Sequence, residues 1–234
     1  MHLHLPKPLH GWREFAGEVG IIVIGVLIAL GAEQVVEAVH WRHELAAERS
    51  SLLQEAKDSF AGVAARKDQQ PCVDRRLAEI HTVLERHHRG ERLGLVGEIG
   101  RPTRQGATRG TWQIALAGQG LAHMSNDEKL TFSDVFSSFD LFDKAEEKEG
   151  EAWLKLSLLN TPDLLTEQDW SSILAAYNAA VEENEHLRAL APWMLDKSLP
   201  GVEKYRDTGD LSRFQGIVGQ VCKPALAPTA AKAP

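Results

Sequence analysis

From Val19 to Ala32 the chain reads VGIIVIGVLIALGA, fourteen apolar or glycine residues with no charge and no hydrogen-bonding side chain. A run of this kind is stable inside a large core or inside a bilayer. As helix it covers about 21 Å, at 1.5 Å per residue. A bilayer's hydrocarbon spans about 30 Å and asks for about 20 residues, so the run alone is short. Its flanks extend it. Trp12 and Trp41 stand 29 positions apart with no proline between them, which is about 43 Å of helix. Trp favours the headgroup layers bordering the hydrocarbon. Glu18 and Glu33 fall near its two edges, and a bilayer can thin to meet them. The expectation is a transmembrane helix with its flanks over 14–40, behind a short N-terminus at 1–13. A cleaved signal peptide competes, but Leu30-Gly31-Ala32 is a poor small-x-small cleavage site. A buried helix of a soluble protein is the third reading.

Lys7 and Arg13 precede the run, and Glu33, Glu37, Glu44 and Glu48 outnumber Arg42 and Arg49 after it. The positive-inside preference then puts the N-terminus in the cytoplasm and the bulk of the chain outside. In a bacterium this means the inner membrane and the periplasm. At 100° per residue Glu18, Gly25, Ala29 and Ala32 share one face of the helix. Gly25 and Ala29 form a small-xxx-small pair that admits a second helix closely in lipid. An acidic residue at the membrane edge on that face is a candidate functional group. The plainer readings are a snorkelling Glu18 and a lipid-facing Gly/Ala stripe.

Residues 17–30, GEVGIIVIGVLIAL, resemble the N-terminal signature of a bacterial domain-of-unknown-function family of small single-pass membrane proteins. That signature is Gly-Glu-Ile followed by an aliphatic run ending Ile-Gly-Ile-Leu-Ile-Ala-Leu. A weaker similarity lies at Thr111-Trp112, Ala115, Gly118 and Leu121, where such proteins carry a Trp helix, a small-residue turn and a further helix. Where the better-known members continue with Gln and Asn-Asn-Trp-Asn, this chain has Gly31-Ala32-Glu33-Gln34, which makes it a divergent branch. The resemblance implies a topology and no chemistry.

Beyond the membrane an apolar stripe continues through Val39, Ala46, Leu53, Phe60 and Val63, extending the helix to about Ala65. Counted back by sevens from Phe60, the seam passes through Ala32 and Gly25 to Glu18, and a sustained seven-residue repeat favours a left-handed supercoil. Packing against helices of the same chain is the plain reading, and a parallel homo-oligomer the sharper one. Pro71 opens a second amphipathic helix (Val73, Leu77, Ile80, Leu84) to about Arg89, with Gly90 as its stop. Residues 91–110 are glycine-rich and aperiodic, so a long loop is expected. Thr111 is read as the cap of a short Trp112 helix. Ser125 and Glu128 form a capping box for a helix through Phe136, Phe142 and Trp153, with a break near Gly150. Thr166 with Asp169 opens the last long helix, ended by Leu199-Pro200-Gly201. No strand pattern appears. The predicted fold is all-α, an N-terminal transmembrane helix continuing into a membrane-anchored helical bundle over 41–222, with a disordered Ala/Pro-rich tail at 223–234.

Lys and Arg total 26 against 33 Asp and Glu, a net −7, which argues against nucleic acid as partner. Cys72 and Cys222 are the only cysteines. On the outer side they are candidates for a disulfide, with two buried thiols as the alternative. Arg101, Arg104 and Arg109 make the long loop basic, a candidate site for anionic headgroups or an acidic partner, or a solvated loop. The acidic stretch 143–151 and the Arg86-His87-His88-Arg89 cluster read as solvated. Glu-x-x-His recurs at Glu37/His40, Glu85/His88 and Glu183/His186. Two such motifs facing a bundle core would hold two metal ions, but Glu183 and His186 lie off the apolar stripe and the first pair lies at the membrane surface. No nucleophile motif, P-loop, dinucleotide fingerprint, HExxH or CxxC is present, and no cofactor is expected. The expected function is therefore structural: a scaffold or accessory protein, not an enzyme, with the bilayer and either a protein partner or its own copy as contacts. A ligand-sensing bundle acting through a membrane partner and a carboxylate-histidine metal enzyme are the alternatives.

Overall fold

The computed structural model describes residues 11–104, 106–196 and 220–227. Six α-helices carry the described chain: α1 (Trp12–Asp68), α2 (Gln70–His88), α3 (Gly110–Ala117), α4 (Gly120–His123), α5 (Asn126–Leu156) and α6 (Glu167–Asp196). Among the described residues the single β-bridge, Leu95 with Leu226, belongs to no strand. The fold is all-α, with one N-terminal helix long and apolar enough to cross a membrane. The chain divides into two units, Met1–Arg49 and Ser50–Pro234. The predicted close at Leu199-Pro200-Gly201 lies outside the described residues.

In the first unit nothing among the described residues covers the apolar run. Ile21 and Ile28 keep 74% and 67% of their surface exposed. Glu18, Gly25, Ala29 and Ala32 are all exposed, and a methyl added at Gly25 meets only open space. Uncovered aliphatic surface on this scale is unfavourable in water by about 25 cal/mol per Å², so the run needs an apolar surrounding that the described residues do not supply.

The second unit has its own core. α5 and α6 pack along their length. The α1 seam turns inward here, with Leu52, Ala56, Phe60 and Val63 buried. Phe60 meets Phe139 edge-on at 4.9 Å. Beyond Leu52 the seam is therefore filled by this chain's own helices. A second layer joins Val73, Ile80 and Val83 of α2 to Trp153 and Leu156 of α5 and to Trp170, Ile173 and Ala180 of α6.

Local signals position the helix starts. Ser125 and Glu128 exchange the two hydrogen bonds of a capping box, as Thr166 and Asp169 do before α6. Two expectations fail. α5 runs through Gly150 without a break, because Glu149 and Ala152 on either side of it are buried in the packed face. Thr111 does not cap α3. Glu55 of α1 does so, accepting the Thr111 and Trp112 amides at 3.0 and 2.9 Å. A carboxylate at these free N–H groups satisfies them and complements the helix dipole.

Cys72 and Cys222 are joined, with Cα atoms 4.7 Å apart across 150 positions. Of the tail expected to be disordered, Lys223–Ala227 are held in place, and 228–234 lie outside the described residues. Arg76 is fully buried. It donates to the carbonyls of Glu98, Gln220 and Lys223 and to the Glu79 carboxylate. Glu79 in turn accepts the Ala225 amide. Gly100 has a φ of +60°, and a Cβ there would lie 2.7 Å from Gln220 Cβ, so this contact needs glycine both for conformation and for space. Replacing Cys72 by Ser should lower unfolding stability by about 2–4 kcal/mol, read from urea midpoints against the oxidised parent. An unchanged midpoint would show that the bridge closes no loop that unfolding opens.

Candidate functional site

The most unusual chemistry in the second unit is a set of charges inside it. Arg66, 1% exposed, points from α1 between α5 and α6. Its Nε and Nη2 donate to the two oxygens of Glu149 at 3.2 and 2.6 Å. Nη2 also reaches Asn184 Oδ1 at 3.1 Å, and Nη1 reaches Gln70 Oε1. Gln70 and Asn184 both donate to Asp74 Oδ1, which Arg188 closes from the rim. The network thus joins α1, α2, α5 and α6. The bidentate fork suits a guanidinium and would not suit an ammonium.

Burial pushes the Glu149 carboxyl above its ordinary value, while the charge and hydrogen bonds of Arg66 pull it down without fully offsetting burial. The Trp153 indole N–H also favours the charged form, although it makes no hydrogen bond of regular geometry.

The loop from Arg89 to Arg109 is fastened to the acidic face of α5. Arg104 donates to Asp143 at 3.0 Å, and Arg109 to Asp143 at 2.9 Å and to Asp140. The hydrogen bond to Asp143 holds the Arg104 guanidinium above its already high ordinary pKa. Buried Glu146 accepts the Gly106 amide at 3.0 Å. Gln69 accepts the Thr103 amide, and Asn160 the Ile99 amide. Two expectations are corrected here. Arg104 and Arg109 pair with carboxylates of this chain, so the loop is not merely solvated; Arg101 is exposed and forms no such ion pair among the described residues. The acidic stretch 143–151 is not a solvated face, since Glu146 and Glu149 are buried. A signal for this was present. Phe139, Phe142, Glu146, Glu149, Trp153 and Leu156 follow at spacings of three and four, which places both carboxylates on the apolar stripe.

The remaining candidates separate. His87 stacks on Trp170 with ring centroids 3.6 Å apart, and Arg86 donates to the Leu93 carbonyl, so these two pack while His88 and Arg89 are exposed as expected. Glu183 is only 13% exposed and pairs with Lys148 and His186 at 3.5 Å, so it lies closer to the interior than the stripe count implied. Glu85 faces His81 and Arg89. Among the described residues no group of three or more His, Cys, Asp or Glu side chains stands where it could hold a metal. A cleft of about 680 Å³ opens beside the network, lined in part by Arg101, Arg104, Glu147, Glu149 and Trp153. No protein-family model, curated protein or solved structure matches the chain.

Removing Arg66 leaves a buried carboxylate without its cation. Arg66→Met should cost about 3–5 kcal/mol, and Arg66→Met with Glu149→Leu should recover part of that loss. Equal losses in the single and double variants, by urea unfolding, would refute the pairing. A carboxyl raised by folding stabilises the protein below its unfolded pKa and loses that contribution as pH climbs through the folded value. The parent's advantage over Glu149→Gln should therefore shrink as pH rises from the ordinary carboxylate range, in melts taken across pH. A widening advantage would reverse the assigned sign.

Proposed function

We propose that the chain is a single-pass membrane protein whose helical domain is an interaction module on the oxidising face of a bacterial inner membrane. The observation that carries this reading is the apolar stretch of α1, uncovered on every side and continuous with a helix that enters the domain core. Lipid is the surrounding that such a surface requires. The Cys72–Cys222 bridge supports the outer side, since cytosolic thiols are kept reduced. Lys7 and Arg13 ahead of the run support the same orientation. The resemblance of residues 17–30 to the single-pass family agrees with it.

The interior of the domain supports a structural role over a catalytic one. Glu55, Glu146 and Glu149 are buried, and each accepts hydrogen bonds from donors within the domain. Carboxylates committed in this way hold elements together and are not poised to move a substrate proton. The open face of Glu18, Gly25, Ala29 and Ala32 is the place for a second helix, either a partner's or a copy's. A second reading, a ligand-sensing domain, draws on the cleft beside Glu149 and would show as small-molecule stabilisation in a thermal-shift screen.

Alkaline carbonate washing should leave the full chain in the membrane pellet, and protease added to intact spheroplasts should digest the domain. Protection in spheroplasts with digestion in inverted vesicles would overturn the orientation. On blue-native gels of membrane extracts the chain should run as an assembly that Gly25→Leu weakens. Monomers from both forms would remove the proposed packing face.

A further inference from the structure

The loop that follows α2 crosses α5 between two fixed points. At one end Glu146 accepts the Gly106 amide at 3.0 Å, and Asp143 accepts Arg104. At the other end Asn160, in the short 3-10 turn after α5, accepts the Ile99 amide at 2.7 Å. The loop therefore runs against the direction of α5, along about 20 Å of it. The cleft of about 680 Å³ lies between these points. Gly100–Arg104 form its loop side, and Glu147, Gly150, Glu151 and Leu154 its helix side. The four helix positions fall at i, i+3, i+4 and i+7, which is a single face. A cleft fastened at both ends is preformed, and its volume falls within the range of about 300–1,000 Å³ that small-molecule sites occupy.

Its lining asks for two kinds of charge. Glu147 and Glu151 stand one turn apart, both exposed and neither in an ion pair among the described residues. Like charges at this spacing repel, and a cation between them relieves that. Lys148, next to Glu147 in sequence, pairs with Glu183 instead. On the loop side Arg104 is held by Asp143, while Arg101 is exposed and unpaired among the described residues. Trp153 lines the floor with its indole N–H buried and without a hydrogen bond of regular geometry. A polyamine would suit the glutamates and be repelled by Arg101. A simple anion would suit Arg101 and be repelled by the glutamates. Gly150 adds a separate observation. It lies inside a long helix without a positive φ, where glycine is less stable than alanine. A Cβ there would meet nothing within 4 Å, so no packing among the described residues calls for glycine. Its missing side chain leaves the floor beside Glu147 and Glu151 open.

We propose that this cleft binds a small zwitterion of the amino-acid or short-peptide class. Its ammonium lies between Glu147 and Glu151, its carboxylate on Arg101, and one of its oxygens accepts the Trp153 N–H. The proposal rests on the second reading above, the ligand-sensing domain, and gives that domain a ligand class.

The test uses the full chain in detergent, with trialanine and alanine as probes, calorimetric titration for affinity and thermal unfolding alongside. Trialanine should bind and raise the melting temperature. Acetylating its amine or amidating its carboxyl should each weaken binding about ten-fold, the scale of one lost charged hydrogen bond. Arg101→Gln should weaken it similarly, as should Glu147→Gln combined with Glu151→Gln. These side chains are exposed, so the unliganded melting temperature should stay where it is in the parent. Gly150→Leu should abolish binding with helical circular dichroism retained, because a side chain there enters open space. Alanine binding with the same dependence on Arg101 and the two glutamates supports the site and narrows its ligand to single amino acids. Equal binding of blocked and free trialanine, or binding untouched by the Arg101 and glutamate variants, overturns the proposal. If neither probe binds while another class of compound stabilises the domain in a thermal-shift screen, the zwitterion is overturned and the sensing reading stands. If no compound in that screen binds either, both fall.

Discussion

Arg66 fixes how the helices of the domain are set against one another. A guanidinium placed in a packed interior demands a carboxylate in one orientation and further acceptors around it. Glu149 supplies the fork, Asn184 and Gln70 the remainder. A slip of α5 by one turn would leave two opposite charges buried apart, at a cost no apolar contact of the core would offset. Buried ion pairs add little net stability compared with well-packed hydrophobes. This one is better understood as setting register among four helices whose aliphatic and aromatic faces would tolerate several arrangements.

A second buried arginine works on backbone. Arg76 gathers three carbonyls from two separate stretches, the loop at Glu98 and the closing segment at Gln220 and Lys223. Coil that crosses a core surface brings peptide groups that no helix satisfies. Arg76 and Glu79, with Asn160 and Gln69, supply those partners from neighbouring helices and turns. The loop therefore needs no regular structure of its own to be ordered, and its glycines allow the backbone to approach as closely as Gly97 and Gly100 do.

What could be read in the sequence was local or strongly periodic. The two capping pairs involve residues three positions apart, and the apolar run announces itself by composition. The existence of the long helices followed from spacing, and the cysteine pairing was one candidate among two because only two cysteines exist. What escaped was charge at long range. Glu55 meets Thr111 across 56 positions, and Arg66 meets Glu149 across 83. Periodicity counts apolar residues, so Glu146 and Glu149 vanished into an acidic stretch although their spacing put them on the Phe and Trp stripe. The same habit treated the basic loop as solvent-facing when Arg104 and Arg109 have partners on α5. Composition also misjudged Lys223–Ala227, since Ala and Pro predict disorder only where nothing nearby satisfies the backbone.

The 150-position span of the disulfide has a consequence for biosynthesis. Synthesis at roughly 5–20 residues per second means that Cys72 emerges about 8–30 s before its partner. During that interval the apolar helix is already made, the first half of the core is exposed, and one thiol is unpaired beside it. The last cysteine then closes the chain after the helices of the core have been delivered, so oxidation seals an arrangement that packing and the buried arginines have to select first.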